Sequence, residues 1–191
     1  MADRLRAGTR LSVDDLWAMF PDEDGLRHEL IDGEHFVTPS PATRHQQLVG
    51  RLHYEIEHYL RAHPGTGEVF LAPFDVIFSP HDLVEPDLLL IAADQSAVLT
   101  RKNVQGAPAL VIEILSPSTR SRDLQTKRRL FDRFGVREYW IVDPDLNRLQ
   151  VHRRNASGGL TLAAQLEMNM DATLSTPILP DFRLPLDLLF R

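Results

Sequence analysis

Two carboxylates stand beside or within runs of apolar residues, where a charge is costly. Glu113 interrupts the apolar run 109–115, and Asp87 directly precedes the run Leu88–Ile91. Neither run alternates polar and apolar residues, so each predicts a strand covered on both faces. A buried carboxylate must shift its pKa, pair with a cation or bind a metal. Two of them on separate strands are a recurrent way to hold a hard divalent cation, which prefers oxygen ligands.

Each carboxylate also has a structural explanation. Glu113 can instead form an ion pair with a buried Arg or Lys. Asp87 follows Pro86, and an Asp beside Pro at the entrance of a strand can simply accept hydrogen bonds from turn amides. The pairing of the two residues, rather than either one alone, favours a metal site.

Lys127 is the third residue in an unusual position. Helical spacing puts it on one face with Leu124, Leu130 and Phe131. One explanation is that its stem lies on apolar surface while its ammonium group reaches water. The other is an ammonium directed at the two carboxylates, where it positions a nucleophilic water or neutralises charge on a phosphate.

Two further residues are weaker candidates. Glu29 lies in a predicted hairpin and could add a carboxylate, although a solvent-facing side chain is the simpler interpretation. His45 lies in the first turn of a predicted helix and could contact a phosphate or act as a base, although a packing or capping role is simpler. Ser116 and Ser118 have no evident His and Asp partners, so we interpret them as loop and capping residues.

Composition and missing motifs exclude several classes of protein. The 191 residues carry a formal charge of −6 and include no cysteine, which excludes disulfide scaffolds, thiolate zinc sites, iron–sulfur clusters and cysteine nucleophiles. The sequence has no G-x-S-x-G, Walker A, H-E-x-x-H or G-x-G-x-x-G motif. Its first residues, Met1–Arg6, do not resemble a signal peptide, and no apolar run approaches the roughly 20 residues of a membrane helix. We expect a cytoplasmic protein with one domain spanning residues 1–191 and no membrane partner.

Charge is distributed unevenly along the chain. The stretch Arg120–Arg137 contains seven basic and two acidic residues, a net charge of +5. Such a segment can bind a polyanion while the acidic remainder suppresses indiscriminate binding, but a solvated helix face explains it equally well.

Local signals predict the first elements. Ser12 is a candidate N-cap for a short helix from Val13 to about Phe20, which Pro21 ends. Asp32-Gly33 predicts a β-hairpin. Thr43 and Gln46 form a candidate capping box, and an amphipathic helix should follow, with its apolar positions at Val49, Leu52, Ile56 and Leu60.

The rest of the chain alternates short apolar runs with turn residues. These runs predict strands at 69–71, 74–78, 88–91, 109–115, 138–142 and 148–152, and a helix at 123–134 that Gly135 ends. The architecture is then α/β or α+β, with a mixed sheet and helices packed against it. The proline-containing tail should wrap the surface before a last turn at Leu186–Phe190.

These motifs together resemble a known family. Pro86-Asp87, the segment Val111-Ile112-Glu113-Ile114-Leu115-Ser116-Pro117-Ser118, Lys127 and the segment Gly135–Pro144 resemble the Uma-two family of bacterial endonucleases, within the restriction-endonuclease-like PD-(D/E)XK superfamily. The likeness covers roughly residues 26–155, including the segment His28–Glu34 and His45.

The resemblance implies a mixed central sheet flanked by helices and a metal site. It makes Asp87 and Glu113 metal ligands, together with the backbone carbonyl of Ile114, and lets Glu29 complete the acidic set. The superfamily's strand lysine, two residues after the Glu, is replaced by Leu115, and Lys127 of the following helix takes that role. Phe131 stands where the family often has Tyr, so no hydroxyl is available there.

Three functions remain open at this point. The leading hypothesis is an endonuclease that cleaves DNA with Mg²⁺ or Mn²⁺ and uses Asp87, Glu113 and Lys127 as its catalytic residues. The second is a catalytically silent protein that keeps the nuclease fold for binding, as a homodimer. The third is a hydrolase of another phosphate ester.

Overall fold

The computed structural model describes residues 10–20, 25–168 and 172–191. The predicted helix stop at Pro21 and the segment Met1–Arg6 lie outside these residues. The helices are α1 (Val13–Met19), α2 (Thr43–Ala62), α3 (Arg128–Phe134) and α4 (Leu186–Phe190), with a 3₁₀-helix at Ala93–Val98 and a π-helical segment at Arg122–Lys127. The strands are β1 (Arg27–Ile31), β2 (Glu34–Thr38), β3 (Gly67–Leu71), β4 (Val76–Ser79), β5 (Asp82–Val84), β6 (Leu88–Ala92), β7 (Val104–Gln105), β8 (Leu110–Ile114), β9 (Glu138–Asp143), β10 (Arg148–Arg154), β11 (Leu160–Glu167), β12 (Thr173–Thr176) and β13 (Leu179–Pro185).

The described strands form a six-stranded central sheet, a five-stranded second sheet and a two-stranded ribbon. The central sheet has the order β11-β10-β9-β8-β6-β3, and the second sheet has the order β2-β1-β5-β4-β7. In the central sheet β8 and β9 are parallel, whereas β6 and β8 are antiparallel. The expected mixed sheet flanked by helices is therefore confirmed.

The central strands are apolar throughout because both faces of the sheet are covered. Leu48, Leu52 and Ile56 of α2 pack on one face, against Leu110 and Ile112. The other face presents Leu89, Val111 and Ile141 to Leu130 and Phe131 of α3. Since side chains alternate along a strand, Glu113 shares the second face with Val111.

The start of α2 corrects one prediction. Its N-cap is Ala42, with extended backbone angles, and the cap makes no side-chain hydrogen bond. Thr43 already has helical geometry, so its hydroxyl is not in the position from which a cap accepts amide hydrogen bonds. The predicted capping box is absent at this helix, while the one at Ser12 and Asp15 of α1 is formed.

The C-terminal tail corrects a second prediction. Instead of wrapping the surface, it forms strands β12 and β13, which bury Leu174, Leu179 and Phe182 in the core cluster that contains α2. Pro180 and Pro185 obscured this pattern, because proline usually argues against a strand. Strand β11 was likewise not predicted, whereas the last helix lies at Leu186–Phe190 as expected. Across the described parts of the chain, no helix combines the length and apolar character needed to cross a membrane.

Candidate active site

Asp87 and Glu113 meet where β6 and β8 pair. Leu88 lies opposite Ile112 in this antiparallel pair, which places the residue before β6 next to the end of β8. The backbone N–H of Ile114 donates to Oδ2 of Asp87 at 2.8 Å. Both side chains are almost fully buried, with residue exposures of 4% for Asp87 and 3% for Glu113. The two carboxylates singled out from the sequence therefore lie at one place in the fold.

The ammonium of Lys127 lies among carboxylates rather than in water. Its Nζ is 2.6 Å from Oε1 of Glu113, 2.6 Å from Oε1 of Glu29 and 3.8 Å from Oδ1 of Asp123. The lysine is 2% exposed, so the interpretation in which it reaches solvent is wrong. It contacts Glu113 and Glu29, and Asp87 has other partners.

Glu29 is buried, which corrects its interpretation as a solvent-facing strand residue. It is 1% exposed and shares a strand face with Ile31, which packs in the same cluster as Leu130 and Phe131 of α3. Because α3 covers this face of the hairpin, Glu29 points inward, and its Oε1 accepts a hydrogen bond from the backbone N–H of Glu85 at 3.1 Å.

Asp87 is held by two basic side chains from the walls of the site. Arg27 donates to its Oδ1 at 2.8 Å, and Nε2 of His45 lies 3.0 Å from its Oδ2. Burial by itself would raise the pKa of Asp87, but the hydrogen bond and charge of His45, the charge of Arg27 and the Ile114 amide lower it to about 2. His45 is 6% exposed and packs against Asp87 without capping its helix.

The pKa values around Lys127 follow from one cation shared by several acids. Burial raises the pKa of Glu113, and the nearby charges of Asp123, Asp87 and Glu29 add to this, while Lys127 opposes it. Burial would lower the pKa of Lys127, but Glu113, Glu29 and Asp123 raise it above its ordinary value. Lys127 is therefore an ammonium ion at neutral pH.

Three residues of the cluster were not predicted as site residues. Arg27 lies two residues before Glu29 on the same strand face, and Asp123 lies one helical turn before Lys127. NH2 of Arg122 lies 3.3 Å from Oε2 of Glu29 and donates to Oγ1 of Thr38 at 2.6 Å. The sequence signals were the spacings of Arg27 and Asp123, which are common among exposed residues, and the place of Arg122 in the basic stretch Arg120–Arg137.

These side chains line a cavity of about 160 Å³. Its wall includes His45 and Ile114 together with four acidic and three basic side chains. The acidic residues are Glu29, Asp87, Glu113 and Asp123, and the basic residues are Arg27, Arg122 and Lys127. Every sequence-predicted site residue lies on this wall. Their catalytic and metal-binding roles remain predictions.

The donor atoms fit a hard divalent cation in their chemistry. Within the described residues, Oε2 of Glu29 and both carboxylate oxygens of Asp123 are buried and accept no hydrogen bond, although Arg122 and Lys127 lie near them as ion-pair partners. The described residues hold no group of three or more His, Asp or Glu side chains placed to bind a metal together. A metal at Asp87 and Glu113 would therefore rely on the Ile114 carbonyl and water, as Mg²⁺ commonly does.

The basic stretch Arg120–Arg137 is largely neutralised. In the described parts of the chain, five of its seven basic residues form ion pairs with acids on other elements: Arg120 with Asp143, Arg122 and Lys127 with Glu29, Arg133 with Asp82, and Arg137 with Asp94. Most of this charge is therefore paired with acids instead of forming a free basic face.

Comparisons with known proteins give a family match and a structural neighbour. Residues 13–187 match the family described as "Uma2: Putative restriction endonuclease". A search of curated proteins found no match. Among solved structures, the chain is similar to "a putative nuclease belonging to DUF820" from Anabaena variabilis ATCC 29413, with 19% identity, a TM-score of 0.78, and coverage of 94% of this chain and 97% of that one. At this level of identity the likeness shows a shared fold.

Proposed function

Because the chain belongs to the Uma2 family, described as "Putative restriction endonuclease", we propose that it is a metal-dependent endonuclease that hydrolyses phosphodiester bonds in DNA. The observation that carries this proposal is the convergence of Asp87, Glu113, Glu29 and Lys127 on one cavity. They come from distant segments of the chain, and a fold gains little by burying four ionisable groups together unless the cluster is used.

The proposed metal is Mg²⁺ or Mn²⁺, held by the carboxylates of Asp87 and Glu113 and by the carbonyl of Ile114. When bound, such an ion lowers the pKa of coordinated water and stabilises negative charge on a phosphoryl oxygen. Arg27 and the Ile114 amide fix the orientation of the Asp87 carboxylate through hydrogen bonds of 2.8 Å each. His45 holds the second oxygen of Asp87 in place.

Lys127 supplies the positive charge that a cleaved phosphodiester requires. Its ammonium, held between Glu113 and Glu29 at 2.6 Å from each, can donate to an attacking water or to a nonbridging phosphate oxygen. Arg122 lies beside Glu29, and its side chain is 12% exposed. It is the next cation available to a phosphate that enters the cavity. Leu115, at the position of the missing strand lysine, is buried and apolar, so it supplies none of this charge.

The proposal is tested by cleavage of supercoiled and single-stranded DNA with Mg²⁺ or Mn²⁺. Glu113→Gln keeps the shape of the side chain and removes its charge, so we expect at least a 100-fold loss of cleavage, about 3 kcal/mol of transition-state stabilisation. The matched control is Glu68→Gln on strand β3, where the side chain is exposed. Cleavage by Glu113→Gln at the wild-type rate, with a normal melting temperature, would reject the proposal.

A second function is favoured by one observation, namely that both proposed metal-binding carboxylates are already paired with cations. Asp87 holds Arg27 and His45, and Glu113 holds Lys127. Carboxylates paired in this way are sufficient for a protein that binds DNA without cutting it, as a monomer or a homodimer. Salt-dependent DNA binding with no turnover in either metal supports that second function.

A further inference from the structure

A second, larger cavity opens beside the candidate active site. It measures about 580 Å³ and shares Arg27, Thr38, His45 and Asp87 with the wall of the smaller one. A cavity of this size is typical of sites that bind small organic groups. The two cavities therefore adjoin, and a group bound in the larger one can contact residues that also border the acidic cluster.

The walls of this larger cavity are rich in aromatic rings. Trp17 and Phe20 line it from α1 and the residue that follows, and Phe74 lines it from the β3–β4 connection. Phe20 stacks on His28, with ring centroids 4.0 Å apart, and Phe70 stacks on Phe74 at 4.9 Å. Trp17 is 44% exposed, so part of its indole surface is accessible to a ligand of this cavity.

Polar groups stand among these rings. The carboxyl groups of Asp75 and Glu85 line the same cavity, and Glu85 is only 8% exposed. A nucleobase presents a flat π-face to aromatic side chains, and the amino groups at its edge can donate hydrogen bonds to a carboxyl oxygen. An ionised phosphate diester offers neither a flat face for the rings nor a donor for the carboxyl groups.

We propose that the larger cavity receives an unpaired nucleobase of the DNA strand whose phosphate lies at the Asp87–Glu113 site. This inference rests on the proposed nuclease function and adds its substrate class, a strand that is single or locally unpaired. A base inside a duplex is stacked and paired and cannot enter a side cavity, so duplex DNA must first expose the base.

The experiment measures binding separately from cleavage. In EDTA, where metal-dependent cleavage does not proceed, the full chain is titrated with a 12-nucleotide single strand, its duplex, and a strand of equal length built from abasic residues. We expect the single strand to bind at least 5-fold more tightly than the other two and to quench the fluorescence of Trp17. The second tryptophan, Trp140, is fully buried in the core and should not respond.

Variants of α1 identify the ring responsible. Trp17→Ala should weaken binding of the single strand by about 5- to 100-fold and leave the abasic strand unaffected, whereas Trp17→Phe should retain most of the affinity. The matched control is Met19→Ala, because Met19 is 45% exposed on the same helix and is not part of the cavity wall. Circular dichroism verifies that each variant is folded.

The outcomes separate this proposal from the nuclease proposal. Equal binding of the normal and abasic strands, or an unchanged affinity in Trp17→Ala, overturns the base-binding cavity even if Mg²⁺-dependent cleavage is found. Base-dependent binding without cleavage supports the cavity and rejects only the nuclease activity. Absence of binding to all three probes overturns the cavity as well.

Discussion

At the scale of single residues, the candidate site is a balance of buried charges. Lys127 is the cation that lies among three acids, Glu113, Glu29 and Asp123. A buried ion pair contributes little to stability compared with a well-packed apolar substitute, but removing one partner leaves the other uncompensated. The cluster should therefore tolerate loss of an acid better than loss of its lysine.

The first prediction concerns this lysine and stability. Lys127→Met keeps the length of the stem but leaves the neighbouring carboxylates without their cation, so we expect the free energy of unfolding to fall by about 3–5 kcal/mol. Urea denaturation at neutral pH measures this change in the free energy of unfolding. The matched control is Lys102→Met at the other lysine of the chain, which is exposed and should change the free energy by less than about 0.5 kcal/mol. Equal effects of the two substitutions would show that Lys127 does not hold the cluster together.

Some of the site residues could be predicted from the polarity of the sequence alone. Asp87, Glu113 and Lys127 were found because each is a charge among apolar neighbours in the sequence. Arg27, Arg122 and Asp123 sit in mixed polar segments, where their types are unremarkable. Which acid pairs with which base depends on strand pairing across the chain, and local spacing carries no information about it. Glu29 was misjudged for that reason.

At the scale of secondary-structure elements, two features position the charged side chains of the site. The β1–β2 hairpin places Glu29, and its turn uses Asp32 and Gly33, both in the left-handed region with φ of 52° and 78°. The π-helical segment Arg122–Lys127 precedes α3 and carries Asp123 and Lys127 on its buried side. The Asp-Gly signal predicted the hairpin. The extra π-helical turn was not predictable, because apolar spacing in a short segment does not separate π from α geometry.

The second prediction tests the hairpin turn. A Cβ at Gly33 would lie 2.7 Å from Cβ of Arg10 and 3.0 Å from its Cα, in addition to the strain of positive φ. Gly33→Ala should therefore cost more than the roughly 1–2 kcal/mol expected from the left-handed backbone alone. Gly25 has nearly the same φ, 79°, but nothing within 4 Å, so Gly25→Ala isolates that backbone cost. Urea denaturation gives both values, and equal losses would show that the contact with Arg10 is unimportant.

At the scale of the whole molecule, an acidic protein surrounds a site proposed for a polyanion. The net charge is −6, and most of the basic residues after β8 are paired with acids. Long-range attraction of DNA should therefore be weak, and recognition has to come from the two adjoining cavities. The family match over residues 13–187 extends beyond the 26–155 suggested by the motifs and includes α1 and the C-terminal strands β12 and β13.

Binding of Mn²⁺ to the free protein tests whether Asp87 and Glu113 hold the proposed catalytic metal. Calorimetric titration of the full chain should show one site per chain, and Asp87→Asn and Glu113→Gln should each weaken it at least 10-fold while Glu68→Gln leaves it unchanged. Folded site variants that both bind Mn²⁺ as tightly as the wild type, or a wild type that binds none, would show that Asp87 and Glu113 do not form a metal site.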